Sequence, residues 1–125
     1  MHRILLREVI IDVPTEGLEA TTGFWAGALL AEPRPVESHP EFQSLAGAAA
    51  LGHVGVQDIG TEAPRLHLDI ETDDIEAEVD RLLRLGATLE RRHEEWVVLR
   101  DPAGLLFCVV PPESPAFEER SRQVE

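Results

Sequence analysis

One histidine lies in a segment of alternating polar and apolar residues. Its position makes it the first candidate for a chemical role in this chain. In the segment RLHLDIET, residues 65–72, the apolar side chains alternate with polar ones, and His67 falls on the polar side. This two-residue period predicts a β-strand with one apolar and one polar face. Imidazole titrates near neutral pH, so His67 could act as a base. The simpler interpretation is a polar residue that hydrogen-bonds Asp69, Arg65 or a ligand.

Other side chains suited to chemistry are scattered along the sequence. Cys108 lies in an apolar run, so we expect a buried, inert thiol rather than a nucleophile. Gln57 could direct its amide towards a ligand, and Trp96, which follows a charged run, could close the rim of a pocket. The remaining histidines do not have the spacing of a metal site and are predicted to be surface or loop residues: His2, His39, His53 and His93.

Composition excludes several classes of function. The chain has 125 residues, enough for one compact domain, with 11 basic and 24 acidic residues and a net charge of −13. This charge argues against binding to nucleic acid or to an anionic membrane, and favours a cationic or neutral small partner. Every basic residue is arginine, so Schiff-base chemistry and a phosphate-loop lysine are excluded.

Cysteine usage indicates the cellular compartment. With a single cysteine the chain forms no internal disulfide and no cysteine-based zinc cluster, which fits a reducing cytoplasm. The first residues, MHRILLREVIIDVP, carry acidic residues inside their apolar run, so we expect neither a signal peptide nor a membrane span. These features predict a cytoplasmic protein.

Residues 65–110 predict a strand, a helix and three further strands. Thr72 or Asp73 is the expected N-cap of a helix that starts near Asp74, and Gly86 ends it. Strands are predicted at 87–90, 96–100 and 105–110, the last two joined by a type I turn at 101–104. The predicted order is therefore β-α-β-β-β.

Residues 3–60 repeat this order. A strand at 4–13 precedes a helix capped by Thr15, whose apolar stripe extends to Leu29, and short strands follow at 34–37, 42–49 and 51–59. Placing Asp12 over Asp69 also places Thr15 over Thr72. We therefore predict one domain over 1–110, with modules at 3–60 and 65–110. The tail 111–125 is expected to be mobile or to form an arm on a second subunit.

Three segments carry a resemblance to a known superfamily. They are the helix with Phe24-Trp25 and Ala28-Leu29-Leu30, then HLDIETDDIEAEVDRLLRLGA, then WVVLRDPAGLLFCVV. Together they resemble the vicinal oxygen chelate superfamily, which includes glyoxalase I, bleomycin-resistance proteins and extradiol dioxygenases. The likeness extends from Ile4 to Val110 and is greatest for glyoxalase-like proteins of unassigned activity. It implies an α+β fold in which two paired β-α-β-β-β modules form a cupped mixed sheet with helices on its outer face.

The resemblance also implies where a metal would bind. Active members hold a divalent metal through the first and fourth strands of each module. His67 matches one of these positions, Gln57 falls near the second, and Cys108 falls at the third, where the family usually has glutamate. The first strand offers either Glu8 or Ile10: its own pattern selects Glu8, whereas alignment of the modules selects Ile10. Gln57 and Cys108 depart from the family's ligands, because hard divalent metals prefer carboxylate and imidazole.

Two functions follow as expectations. The first is a small-molecule-binding protein with a cup around His67, Gln57, Cys108, Glu8 and Trp96, without a complete metal site or another cofactor. The alternative is a divalent-metal-dependent lyase, isomerase or dioxygenase acting on a small oxygenated substrate. The resemblance further implies a homodimer, in which the modules pair within one chain or by exchange.

Overall fold

The computed structural model describes residues 1–28, 31–47, 53–102 and 104–125. In these ranges the chain forms nine strands and three α-helices, and the strands pair in both parallel and antiparallel fashion, which confirms the predicted α+β class with a mixed sheet. Its elements are β1 (His2–Val13), α1 (Leu18–Ala28), β2 (Glu32–Pro35), β3 (Phe42–Ala46), β4 (His53–Asp58), β5 (Arg65–Thr72), α2 (Ile75–Leu85), β6 (Thr88–Arg92), β7 (Val97–Arg100), β8 (Leu106–Val110), α3 (Phe117–Arg120) and β9 (Arg122–Val124).

This order contains the predicted β-α-β-β-β sequence twice. Some predicted features fall outside the described ranges: Leu29 and Leu30 of the first helix, residues 48–52 at the ends of two strands, and Ala103 in the predicted turn. Within the described ranges, no helix is long and apolar enough to cross a membrane.

The chain divides into two compact units, and the divisions fall inside β1 and β5. One unit comprises Glu8–His67, and the other comprises Met1–Arg7 together with Leu68–Glu125. They are called here the 8–67 unit and the 68–125 unit. The predicted module limits, 3–60 and 65–110, remain predictions.

In the 8–67 unit, helix α1 covers one face of a four-stranded arrangement. Strand β1 runs parallel to β4, and β3 is antiparallel to both β4 and β2. Val13, Leu45, Val54 and Val56 are buried in this unit and pack with Ala26 of α1. Because strand side chains alternate between faces, the residues between these apolar positions lie on the opposite face of the strands.

The first helix begins differently from the prediction. Residues Thr15–Gly17 form a 3-10 turn before α1, and Pro14 precedes that turn without a side-chain cap. The Thr15 hydroxyl instead donates a hydrogen bond of 2.6 Å to Asp58 Oδ1. Together with the backbone N–H of Gly60, this bond lowers the pKa of Asp58. The prediction of Thr15 as the helix cap was therefore wrong, because the carboxylate at the end of β4 takes its hydroxyl.

In the 68–125 unit, β5 pairs in parallel with β8, which is antiparallel to β7, and β7 is antiparallel to β6. Helix α2 packs on these strands through Val79, which is fully buried with Leu99 and Val109. Asp74, rather than Thr72 or Asp73, is the N-cap, and its side chain accepts a hydrogen bond from the Ala77 N–H. The predicted end of this helix at Gly86 is confirmed.

Alternation of polar and apolar residues usually indicates that the apolar side chains of a strand are buried. Along the first part of β5 the reverse is found. The polar residues His67, Asp69 and Glu71 are exposed by only 7%, 6% and 0%. In contrast, Leu66 is 55% exposed and Leu68 is 36% exposed. The strand was predicted correctly, but its polar side chains, rather than its first two leucines, are the buried ones, and each buried polar group needs hydrogen-bond partners.

The C-terminal residues fold back on their own chain. Phe117 of α3 is 3% exposed, and the guanidinium of Arg3 lies 5.6 Å from the centre of its ring. Strand β9 pairs antiparallel with the start of β1, with His2 opposite Val124. The expectation of a mobile tail or an arm on a second subunit was therefore wrong, because one buried aromatic ring and one strand pairing outweigh the polar composition of the segment.

The side chain of Glu71 anchors the C-terminal residues 111–125 to the rest of the 68–125 unit. Its fully buried carboxylate accepts hydrogen bonds from the backbone N–H groups of Glu113 and Ser114, at 3.0 and 3.1 Å, and Arg7 Nε lies 3.5 Å away. We expect Glu71→Ala to lower the free energy of unfolding by about 2 kcal/mol, because these donors lose a charged acceptor. Urea unfolding measures the change, and hydrogen exchange should show faster exchange in residues 122–124.

Glu113→Ala is the matched control for this prediction. It removes the side chain that pairs with Arg7 but retains the backbone N–H bonded to Glu71. We expect a change within about 0.5 kcal/mol, as for most surface substitutions. Equal effects of the two substitutions would contradict the anchoring role of Glu71.

Candidate functional site

The face of the 8–67 strands opposite α1 carries a row of polar side chains. On β1, Glu8, Ile10 and Asp12 alternate with the residues of the apolar face. The parallel pairing of β1 with β4 sets Glu8 opposite His53 and Asp12 opposite Gln57. This face is called here the polar face of the 8–67 unit, and it also includes Arg65 and His67 at the start of β5.

Asp12 is the centre of a buried cluster at one end of this face. Its Oδ2 atom lies 2.7 Å from His67 Nδ1 and 3.1 Å from Arg65 Nε. Asp12 is fully buried and His67 nearly so, whereas the Arg65 side chain is 36% exposed. Arg65 also bonds Glu62 at 2.7 Å through Nη1, so its charge is shared between two carboxylates.

The Asp12 contact determines what His67 can do. A neutral imidazole that donates from Nδ1 to a carboxylate presents Nε2 as an acceptor, which can take up a proton or bind a metal. The carboxylate also stabilises an imidazolium if that proton is gained. Asp12 therefore fixes the orientation and the tautomer of His67.

The second oxygen of Asp12 is unusual among buried polar atoms. Oδ1 is buried and has no hydrogen-bond donor within the described parts of the chain. Buried carboxylate oxygens without a donor are costly, because they have lost water without a replacement. A ligand hydroxyl or a bound water would satisfy this atom.

A second histidine–carboxylate cluster lies at the other end of the polar face. His53 Nδ1 forms a hydrogen bond with Glu8 Oε2, and His53 Nε2 lies 2.6 Å from Ser44 Oγ. The prediction that His53 is a surface or loop residue was wrong. It lies in β4 with both ring nitrogens engaged, because β1 and β3 flank that strand and supply the two partners.

The alternatives Glu8 and Ile10 occupy the same face but different surroundings. The Glu8 carboxylate bonds His53, whereas Ile10 is 1% exposed and its Cδ1 atom lies 3.0 Å from where a Cβ on Gly55 would be. Ile10 therefore fills the space above a glycine, and its side chain has no ligand atom. The His67 imidazole contacts Asp12.

Gln57 lies beside the His67 cluster. It is half-buried in β4, opposite Asp12 on one side and Phe42 on the other. An amide at this place could bond a ligand that reaches the polar face. Its assignment as a pocket residue remains a prediction.

Cys108 and Trp96 belong to the 68–125 unit. Cys108 is half-buried, not fully buried as expected, and lies opposite Asp69. Its Sγ atom and a carboxylate oxygen of Asp69 are within 4.8 Å of each other. Trp96 is half-buried just before β7 and stacks on His93, with ring centres 4.4 Å apart. Their pocket roles remain predictions.

The donors at the implied ligand positions differ in kind from those of a hard-metal site. Ile10 has no ligand atom, Gln57 offers an amide oxygen, and the Glu8 carboxylate is bonded to His53. On β5, Asp69 follows His67 by two residues and so shares its face of the strand, beside the thiol of Cys108. A thiolate beside a carboxylate suits zinc rather than magnesium or calcium.

Sequence reasoning missed Asp12, Arg65 in its role as an Asp12 partner, and the pair Ser44 and His53. Asp12 had a usable signal, since it lies on the same face of its predicted strand as Glu8 and aligns with Asp69 of the second module. Ser44 and His53 had none, because their contact depends on the register of β3 against β4.

Comparison with known proteins agrees with this architecture. A family profile described as the glyoxalase-like domain matches residues 8–110. The chain belongs to the glyoxalase-like domain family. The resemblance to the vicinal oxygen chelate superfamily is thereby confirmed, and members of this superfamily include metal-dependent epimerases and dioxygenases. A search of curated proteins finds no match.

Several solved structures with this fold are distant from this chain in sequence. Hypothetical protein BH1468 from Bacillus halodurans C-125 is 14% identical, with a TM-score of 0.64 over 98% of both chains. Methylmalonyl-CoA epimerase from Mycobacterium tuberculosis is 17% identical, with a TM-score of 0.56 over 87% of this chain and 88% of its own.

A third similar structure is a larger enzyme. It is 2,2',3-trihydroxybiphenyl 1,2-dioxygenase from Sphingomonas wittichii strain RW1, which is 12% identical with a TM-score of 0.59. The match covers 90% of this chain but 42% of the dioxygenase. At these identities, the similarity establishes the fold alone.

Proposed function

We propose that this glyoxalase-like protein binds a small oxygenated organic molecule at the polar face of the 8–67 unit, with His67 as the central contact. The observation that carries the proposal is the buried contact between His67 and Asp12. A buried histidine held by a buried carboxylate is preorganised, so little conformational entropy is lost when a ligand binds. Glu8 and Gln57 are the other proposed pocket residues of this unit, and the ligand-contacting roles predicted for Cys108 and Trp96 of the 68–125 unit are proposed separately.

The chemistry of the cluster indicates the class of ligand. In the proposed complex a ligand hydroxyl donates a hydrogen bond to the His67 imidazole, and Asp12 Oδ1, which has no donor in the described chain, is a second acceptor. The guanidinium of Arg65 lies beside Asp12 and is partly exposed. It can therefore donate a hydrogen bond to a carbonyl or carboxylate oxygen of the same ligand. These groups together suit a molecule that carries a hydroxyl next to a carbonyl.

The proposed binding does not use the family's metal. Of the implied ligand positions, the first strand offers Ile10 or a Glu8 already bonded to His53, and the fourth strand of the first module offers the amide of Gln57. A bound hard cation would have to break the Glu8–His53 contact. We further propose that the protein acts in the cytoplasm, in keeping with its single cysteine, and that it is a homodimer.

Metal titration separates this proposal from its main competitor. Metal-stripped protein is equilibrated with zinc, manganese or cobalt(II), desalted, and analysed for bound metal per chain. We expect less than about one tenth of an equivalent to remain, since the implied positions include the amide of Gln57 and a Glu8 already bonded to His53. Stoichiometric retention that disappears in His67→Ala would overturn the metal-free proposal.

Ligand binding is tested with a panel of 2-hydroxy acids, 2-oxo acids and catechols. We expect at least one class to raise the melting temperature of the metal-free protein, because a ligand that binds only the folded state stabilises it. His67→Ala should abolish the rise, whereas His39→Ala, which changes a histidine outside the polar face, should retain it. A rise that survives in His67→Ala would contradict the role of His67.

A divalent-metal-dependent lyase, isomerase or dioxygenase is the second candidate. It is favoured by the pairing of Asp69 with Cys108 in the 68–125 unit, where their ligand atoms lie within 4.8 Å of each other. A metal held there would polarise a carbonyl or an enediolate oxygen. If the titration gives one zinc per chain and Cys108→Ser releases it, this candidate replaces the first.

A further inference from the structure

Three residues on adjacent strands of the 8–67 unit form a chain of hydrogen bonds. Ser44 Oγ lies 2.6 Å from His53 Nε2, and His53 Nδ1 bonds the Glu8 carboxylate. Hydroxyl, imidazole and carboxylate follow one another through opposite nitrogens of the ring. This is the arrangement by which a serine nucleophile is activated: the base touches the hydroxyl, and a third group orients the base.

Strand register accounts for this arrangement. Glu8 lies directly opposite His53 in the parallel pairing of β1 with β4. Ser44 lies opposite Gly55, two residues along β4 from His53, and so meets the imidazole diagonally. A Cβ on Gly55 would lie 3.9 Å from His53 Cε1, at ordinary van der Waals distance from the ring. All three polar side chains are therefore held by regular strands, not by a loop.

Exposure increases from the acid to the base. The Glu8 side chain is 8% exposed and the His53 side chain is 35% exposed, while Ser44 is half-buried. A buried carboxylate that orients a more accessible imidazole suits a base that must exchange protons with a substrate. A purely structural contact would not require the imidazole to be exposed.

We propose that Ser44 is a nucleophile for acyl transfer from activated esters, with His53 as the general base and Glu8 as the residue that positions His53. The activity uses the end of the polar face away from Asp12 and His67, and of the proposed pocket residues it uses Glu8 alone. Glu8 and Asp12 are four residues apart on β1, and at about 3.3 Å per residue their Cα atoms lie roughly 13 Å apart.

The reaction balances without a cofactor. His53 Nε2 takes the proton of Ser44 as Oγ bonds the acyl carbon; the carbon–oxygen bond to the leaving alcohol then breaks, and His53 returns the proton to that oxygen. In the second half, His53 takes a proton from water, the hydroxide oxygen bonds the acyl carbon, and the bond to Oγ breaks. Ser44 regains its proton, and a carboxylic acid leaves.

p-Nitrophenyl acetate tests the proposal on the intact protein. We expect a rapid release of p-nitrophenol of up to one equivalent per chain, followed by slower turnover, and peptide mapping should place the acetyl group on Ser44. The absence of lysine and tyrosine from the chain removes the commonest competing acceptors. Acetylation confined to the N-terminal amine, Cys108 or other serines would overturn the proposal.

Variants assign the roles, and each has a matched control. Ser44→Ala should abolish the rapid phase, whereas Ser38→Ala, at an exposed serine of a turn, should leave it unchanged. His53→Gln should slow acetylation about 100-fold, as expected for loss of a general base, and His39→Gln should not. A rapid phase of full size in folded Ser44→Ala would contradict the proposal. Peptide mapping of the acetylated protein without substitutions identifies the acetylated residue even if a variant does not fold.

Glu8 acts through His53, so its test needs a different readout. Glu8→Gln should slow acetylation of Ser44 but leave unchanged the amount of p-nitrophenol released in the rapid phase. Glu8→Asp, which retains the negative charge, should restore part of the rate. Equal rates in Glu8→Gln and in the unmodified protein would show that the carboxylate has no positioning role.

Discussion

Asp12→Ala is expected to give the largest loss of any single substitution, in both stability and ligand binding. The carboxylate is fully buried and serves His67 and Arg65 through one oxygen. Removing it leaves a buried imidazole without its acceptor and a guanidinium with a single remaining carboxylate. Breaking a buried charged contact typically costs about 3–5 kcal/mol. We expect a loss in this range in the free energy of unfolding, measured in urea.

Two further variants separate stability from function at this site. Asp12→Asn retains the volume of the side chain, so it should fold better than Asp12→Ala, yet it should still lose ligand binding because an amide holds the His67 tautomer poorly. Asp80→Ala, at an exposed position of α2, should change the free energy of unfolding by less than about 0.5 kcal/mol. Full ligand affinity in Asp12→Asn would contradict the orienting role.

Glu78→Gln is expected to give the second large effect, in the 68–125 unit. The Glu78 side chain is fully buried and bonds Arg81 twice at 2.8 Å and His2 Nε2 at 2.6 Å. Replacing the charge weakens three hydrogen bonds inside the protein. We expect a loss of about 3 kcal/mol at pH 7, the lower end for a broken buried pair.

This effect should depend on pH in a defined direction. Burial by itself would raise the pKa of Glu78, but the hydrogen bonds from Arg81 and His2 outweigh it, so the pKa is lowered. The same contact raises the pKa of Arg81 above its ordinary value. The Glu78 carboxylate of the unfolded chain binds a proton at a higher pH than that of the folded protein. The stabilisation is therefore complete above the usual glutamate pKa of about 4.3, and it is lost as the pH falls through the lower pKa of Glu78 in the folded protein.

The difference between the unmodified protein and Glu78→Gln should therefore shrink below about pH 4. Glu76→Gln in the same helix is the matched control, since Glu76 pairs with Arg92 on the surface, where their side chains are 71% and 46% exposed. Exposed pairs contribute about 0–1 kcal/mol, so this substitution should have little effect at any pH. A constant Glu78→Gln difference between pH 7 and pH 3 would contradict the assignment.

Much of the fold followed from local patterns in the sequence. The alternation in residues 65–72 predicted β5, and the apolar spacing ending at Gly86 predicted α2, because both patterns reflect a single element packed on one side. The duplicated element order was also visible, since each module repeats the same succession of periods. Helix starts were less predictable: several polar residues near Thr15 and Asp74 can cap, and only tertiary contacts select among them.

The candidate site was only partly visible in the sequence. His67 was found because a histidine on a strand face is conspicuous, but its partner Asp12 lies far away in the chain and depends on how β1 and β5 meet within the 8–67 unit. The Ser44–His53 contact depends on register, which a single sequence does not specify. The packed tail was misjudged because a polar composition conceals a single buried side chain, Phe117.

Metal-free binding at His67 is most directly tested by nuclear magnetic resonance. Protein with ¹⁵N-labelled histidine is titrated, in buffer containing a chelator, with members of the 2-hydroxy acid, 2-oxo acid and catechol panel. The account predicts saturable shifts of the His67 ring nitrogens, with the proton remaining on Nδ1 beside Asp12, and no such shifts in Asp12→Asn. Shifts that appear only after zinc or manganese is added in place of the chelator would contradict it.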